Sequence, residues 1–164
     1  MKRILAVLLA IMLFVAVMPM TSFAEGAVSN SSDKKVYHVA TQHDDLRLRA
    51  EPNDHSAIKA RLPKGTALIY QSKANKNWYK VKTPNGLEGY VFKKYLGDYG
   101  KADVATKKDP LHVRKTPGKG KVLTSIPHGT KGVTIYAING NWAKVKWNGY
   151  SGYSSMSYLR WTRW

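Results

Sequence analysis

The chain has 164 residues, with 27 Lys and Arg against 10 Asp and Glu, a formal net charge of +17. That length holds one ordinary domain or two very small ones and excludes a large multidomain enzyme. Cysteine is absent, which excludes a cysteine nucleophile, a disulfide framework and a thiolate zinc site. The charge predicts attraction to polyanions: nucleic acid, anionic lipid or an acidic wall polymer.

The amino terminus narrows that choice. Lys2 and Arg3 precede an apolar run from Ile4 to Val17, then Pro19 and the small-residue site Ser22-Phe23-Ala24. This is the build of a secretory signal peptide over residues 1–24, with cleavage expected between Ala24 and Glu25. The run falls short of the roughly 20 apolar residues of a spanning helix, and retention as an uncleaved anchor is the alternative. Loss of Lys2 and Arg3 takes the 27 basic residues to 25, and against 10 acidic ones the mature charge is +15. An exported chain does not meet nucleic acid, and one without cysteine must build its cores from packing alone.

Residues 25–35 are polar and read as a loop-like segment. From there the chain repeats itself. Val39-Ala40-Thr41, Asp44, Leu46, Arg49 and Pro52 recur as Val104-Ala105-Thr106, Asp109, Leu111, Arg114 and Pro117. Leu62-Pro63-Lys64-Gly65-Thr66 recurs as Ile126-Pro127-His128-Gly129-Thr130, and Asn77-Trp78 through Val81 as Asn141-Trp142 through Val145. Gly86, Gly89-Tyr90 and Tyr95-Leu96 meet Gly149, Gly152-Tyr153 and Tyr158-Leu159. Two copies of a unit of about 60 residues are expected, over 36–98 and 104–164, with a linker at 99–103.

Each copy reads as all-β. Leu46, Leu48 and Ala50 alternate with Arg47 and Arg49, and Leu111 and Val113 alternate with His112 and Arg114, the period-2 pattern of a half-buried strand. Short β-branched and aromatic runs follow at 67–71, 78–83 and 89–92, bounded by Gly, Pro or Asn. Asn85-Gly86 and Asn148-Gly149 are expected to form type I′ hairpin turns. No amphipathic helix is expected after Ala24, and the spacing of strands and turns predicts a small barrel or sandwich.

Five elements in order, twice over, carry a family resemblance: Leu46 to Pro52, Leu62 to Thr66, Asn77 to Val81, Gly86 to Tyr90 and Tyr95-Leu96, with their counterparts in the second copy. Together they resemble the bacterial SH3-like domain in tandem. The resemblance implies two small, partly open β-barrels and a role as a wall-targeting or ligand-binding accessory, in some members binding peptidoglycan peptide. It also implies a partner catalytic domain in most cases, for which the short tails leave no room.

The candidate site residues follow from the repeats. Period 2 places Tyr79, Val81 and Thr83 on one face of their strand, leaving Trp78, Lys80 and Lys82 on the other, and likewise Trp142, Lys144 and Lys146. An outward tryptophan beside lysines suits a sugar ring or a carboxylate-bearing peptide, or else it packs over the preceding hairpin and closes the barrel. Tyr95 and Tyr158 repeat and serve either a core or a groove. Arg49 and Arg114 are read as outward guanidiniums, able to fork onto a ligand carboxylate. The tail Arg160, Trp161, Arg163 and Trp164 alternates cation with indole and suits an anionic interface; a final strand against the barrel is the alternative. His38, His43 and His55 near Asp44 and Asp45 do not repeat, so no catalytic residue, metal site or cofactor is expected. Residues 36–98 hold 11 basic and 6 acidic residues, and residues 101–164 hold 12 and 2, so electrostatic adhesion should come mainly from the second copy.

The expectation from sequence is thus a secreted, wall-associated, non-enzymatic monomer. It would bind peptidoglycan through the peptide part, helped by teichoic acid and by weak contact with an anionic membrane. The alternatives are a charge-driven polyanion or membrane-surface binder, and an interaction module for another exoprotein.

Overall fold

The computed structural model describes residues 32–162; the expected signal peptide, its cleavage site at Ala24 and Glu25, and Arg163 and Trp164 lie outside the described residues. The chain order is β1 (Lys34–Val39), β2 (Leu46–Arg49), β3 (Ile58–Leu62), β4 (Ala67–Lys73), β5 (Trp78–Lys82), β6 (Glu88–Phe92), a 3-10 turn (Lys93–Tyr95) and β7 (Leu96–Asp98). It continues with β8 (Gly100–Val104), β9 (Leu111–Arg114), β10 (Val122–Ile126), β11 (Val133–Asn139), β12 (Trp142–Trp147), β13 (Tyr150–Ser155), a 3-10 turn (Met156–Tyr158) and β14 (Leu159–Trp161). The described residues are therefore all-β, as the alternation predicted, and form an SH3-like fold.

The first seven strands run β1-β4-β5-β6-β2-β3 with β7 on β1, and the last seven run β8-β11-β12-β13-β9-β10 with β14 on β8. Every pairing is antiparallel, and β1 joins both sets in one sheet of 14 strands. Even the irregularities recur: the register slips between Tyr70 and Ser72 on β4 and between Ile135 and Ala137 on β11. Such bulges sharpen the local twist and let a short sheet curl over its own core.

Each set encloses a core. Val39, Leu46, Leu48, Leu62, Leu68, Val81 and Val91 fill the first. Val104, Leu111, Val113, Ile126, Val133 and Val145 fill corresponding places in the second. Where the first has Val91, the second buries Ser154, whose hydroxyl donates to the His112 carbonyl at 2.9 Å.

Two glycines show how tightly the strands cross. A Cβ on Gly89 would lie 2.7 Å from the Arg49 carbonyl oxygen, and one on Gly152 would lie 2.5 Å from that of Arg114. Only glycine lets β6 and β13 approach the ends of β2 and β9 this closely, which accounts for the repeated Gly-Tyr.

Three sequence expectations are corrected. The segment 25–35 is not loop throughout, because Lys34 and Lys35 belong to β1 and pair with Ile138 and Ala137 of β11. The interval 99–103 is not a free linker: β8 occupies it, pairing with β11 and β14. Asn148 and Gly149 do carry the paired positive φ of a type I′ turn, at 46° and 81°, but Asn85 does not. There Pro84 holds the first central position with its fixed negative φ, Gly86 N–H donates to the Thr83 carbonyl at 2.9 Å, and Gly86 alone has positive φ.

Asp103 on β8 ties the β10–β11 connection: Oδ2 accepts from Lys131 Nζ at 2.8 Å and Oδ1 from the Gly132 amide at 3.0 Å. The Lys131 ammonium, then the Gly132 amide, hold its carboxyl below the usual range. A depressed folded value gives stability that is complete above the unfolded value and lost as pH falls through the folded one. The melting temperature of the native chain should therefore fall more steeply than that of Asp103→Asn as pH drops below about 4, as thermal scans across a pH series would read. Val36, fully buried on β1, belongs to the second core although it precedes the first. Val36→Ala should cost about 2 kcal/mol, with hydrogen exchange accelerating in β8 to β14 rather than only in β1 to β7.

Candidate functional site

The first seven strands carry an open groove of about 730 Å³. One wall is aromatic, built from Trp78, Phe92 and Tyr95; facing it is the β1–β2 connection with Asp44 and Asp45, with Arg47, Arg49 and Asp54 alongside and Lys94 at the turn.

Local hydrogen bonds set the aromatic wall. Asn75 Oδ1 accepts the amides of Asn77 at 2.9 Å and Trp78 at 3.1 Å, which starts β5 at the tryptophan. The Asn77 carbonyl then accepts the Lys93 amide at 2.9 Å and draws the 3-10 turn against β5. In the last seven strands the Asn141 carbonyl does the same for the Met156 amide at 2.9 Å. The Tyr95 carbonyl accepts the Ala40 amide and that of Tyr158 the Ala105 amide, fixing each groove's loop to its tyrosine.

Trp78 is only 6% exposed, because Phe92 lies edge-on across it with ring centroids 5.5 Å apart. Of the two readings of Trp78, an outward platform or a closing residue, its burial fits the second. Phe92 in turn meets Tyr95 at 5.8 Å, and Tyr95 is left 44% exposed at the mouth. Opposite, the carboxylates of Asp44, Asp45 and Asp54 make no ion pair among the described residues. The Thr41 hydroxyl is buried without a partner among the described residues, whereas its counterpart Thr106 has His128 Nδ1 at 3.3 Å.

The two arginines do not stand outward. Arg49 is 7% exposed and donates from Nη1 to the Ser56 carbonyl at 2.7 Å; Arg114 donates to the Gly120 carbonyl at 3.0 Å. Each pins the loop that leaves its strand, so neither guanidinium is a free fork for a ligand. The lysines are also committed. Lys80 and Lys82 flank Glu88 at 3.7 and 3.4 Å, and those ammoniums, Lys82 first, hold the Glu88 carboxyl below its usual range. Lys144 Nζ lies 3.2 Å from Asp33.

Of the residues picked from the sequence, Trp78, Tyr95 and Arg49 come together in the groove and Lys80 does not. Trp142 and Tyr158 keep corresponding places, with Tyr158 50% exposed. There, however, Ser155 replaces Phe92 and its hydroxyl accepts the Ser157 amide, while Lys107 and Lys108 replace Gln42 and His43. In the tail, Arg160 is exposed, whereas Trp161 packs half-buried against the second core and pairs with Ala102. Sequence reasoning missed Phe92, Arg47 and Lys94 because it weighted residues that recur, and these do not.

Residues 44–97 match the family model of the bacterial SH3 domain. No curated protein matches the chain. Among solved structures it is similar to two from Trichomonas vaginalis. The match to NlpC2 has a TM-score of 0.48 and 14% identity over 81% of this chain and 50% of that one. The match to NlpC1 has 0.46 and 15% over 83% and 49%. A third likeness, to the native structure of CBDP35, has a TM-score of 0.27 and 12% identity over 79% of this chain and 96% of that one. The chain spans about half the length of the two NlpC structures.

Wall and mouth of the groove should separate on mutation. Trp78→Ala is expected to cost about 3–5 kcal/mol of stability, and Tyr95→Ala no more than about 0.5 kcal/mol, compared by urea denaturation of the two variants.

Proposed function

We propose that this is an exported, non-enzymatic bacterial protein that binds the cell wall, taking a short stretch of peptidoglycan peptide in the groove of residues 40–95. The observation that carries the reading is the groove's composition. An aromatic wall with an exposed tyrosine at its mouth shares the groove with carboxylates that make no ion pair among the described residues and with the cations Arg47 and Lys94. A peptide offers the complementary set, with apolar side chains for the rings and charged groups of both signs for the carboxylates and cations. The match of residues 44–97 to the bacterial SH3 domain supports the same reading.

Residues 100–161 we read as a second module of the same kind, from their identical pairing order and repeated Gly, Arg and Asn positions. Its 12 basic and 2 acidic residues over 101–164 would draw the protein to teichoic acid over a range of about 10 Å, while the aromatic groove supplies short-range recognition. That same charge favours one rival, a polyanion binder in which the folds only display lysines.

Sedimentation with purified sacculi, with and without teichoic acid and across a salt series, separates the two. Tyr95→Ala should weaken binding to acid-stripped sacculi about tenfold, the loss of one good aromatic contact, while Tyr158→Ala changes it less than about threefold. Binding that vanishes with the acid polymer and is indifferent to Tyr95 would establish the charge-driven rival instead. Hydrolysis of sacculi by the pure protein would displace the non-enzymatic reading.

A further inference from the structure

The most fully built polar site among the described residues lies outside the groove. Asp33, immediately ahead of β1, reaches across to β11, β12 and β13. Its Oδ1 accepts from Asn139 Nδ2 at 3.2 Å, and its Oδ2 from Lys144 Nζ at 3.2 Å and from the Tyr153 hydroxyl at 2.8 Å. The Asp33 side chain is only 8% exposed and that of Lys144 only 22%. Lys144 Nζ also lies 5.7 Å from the centre of the Tyr153 ring.

Three different donors, an amide, an ammonium and a phenol, thus converge on one carboxylate from strands more than 100 positions away in sequence. Burying a carboxylate or an ammonium alone is costly, and each here removes that cost from the other only because the remaining donors complete the shell. The arrangement is not a property of the fold at large. In the first seven strands the corresponding Lys80 turns to Glu88 on the neighbouring strand β6, at 3.7 Å, and stays 40% exposed.

We propose that Asn139, Lys144 and Tyr153 form a carboxylate-binding cradle, which the chain fills with its own Asp33 as an internal ligand. Occupied in this way, the cradle clasps the start of β1 onto the last seven strands. Emptied of Asp33, it takes an external carboxylate of acetate size, the group that a peptide terminus or an acidic side chain presents. This site is independent of the aromatic groove and of what that groove binds.

The test uses the full mature chain and sodium acetate as the probe. In Asp33→Ala the NMR signals of the Lys144 side chain and Tyr153 should shift, and amide exchange at Lys34, Lys35, Ala137 and Ile138 should accelerate about tenfold or more, the loss of one buried charge-assisted contact. Acetate should then restore the Lys144 and Tyr153 signals saturably, while chloride at equal ionic strength does not. Lys144→Met added to Asp33→Ala should abolish the response, and the native chain should show none. Asp33→Ala that ignores acetate, or responds equally to chloride, overturns the proposal.

If Asp33→Ala does not fold, a double-mutant cycle of Asp33→Asn with Lys144→Met decides. The double variant should be at least about fivefold more stable, in its unfolding constant, than independent losses imply. Strictly additive losses overturn the proposal.

Discussion

A β-strand presents alternate residues to opposite faces, and the whole molecule depends on how β1 uses that property. Val36 and Val39 are three positions apart, so they point to opposite sides. Val39, with Tyr37 on the same side, packs into the first core, while Val36 is buried in the second. The backbone divides its pairing likewise, giving Lys34 and Lys35 to β11, Val36 to His38 to β4, and Tyr37 to Val39 to β7. Six residues therefore serve two cores. Gly100 continues the constraint, since a Cβ there would lie 2.9 Å from Val36 and 2.8 Å from the Trp161 ring. The two sets of strands thus meet through closely packed side chains as well as through the backbone of β1.

Within that constraint the sets share a frame and differ in what fills it. The frame consists of Gly89 and Gly152 where strands cross, Arg49 and Arg114 pinning the loops after β2 and β9, and the Asn77 and Asn141 carbonyls holding the 3-10 turns. All of these act on backbone, which both sets have in common, so the residues recur. The groove-facing positions act on a ligand or on solvent and are free to diverge. Phe92 against Ser155, and Gln42-His43 against Lys107-Lys108, make these positions aromatic and neutral in the first set and polar and basic in the second. A repeat that marks structural duty in this way leaves specificity to the residues that break it.

The same distinction explains what was legible beforehand. Strand identities followed from the alternation of Leu46 with Leu48 and of Val81 with Thr83, and the structure keeps those side chains buried. Alternation failed at Arg49, because the register slips between Leu48 and Arg49 where β2 meets β3; a strand's period does not reveal a bulge in its partner. It left two readings open at Trp78, and the covered one holds because Phe92, directly opposite on β6 and absent from the second copy, covers the indole. Lys34, Lys35 and residues 100–103 read as loop and linker because their partners lie far off in sequence. Backbone pairing to β11 makes them strands, and a polar stretch carries no local sign of a partner that is not its neighbour in sequence. Asp33 was invisible for the same reason.

Charge divides along these lines as well. Asp33 and Asp103 each accept a lysine of the last seven strands, Lys144 and Lys131, so both acids remove positive charge from the half that has most of it. The two pairs differ in kind. Lys131 is 80% exposed and its ion pair is largely screened, whereas Lys144 and Asp33 are 22% and 8% exposed and are screened far less. What stays around residues 101–164 is therefore a field of net positive charge, 12 basic against 2 acidic residues, long in range and weak in selectivity. The groove between Trp78 and Asp44 is short in range and chemically mixed. Long-range attraction and short-range recognition are separable properties of a surface, and here they fall to different ends of one sheet.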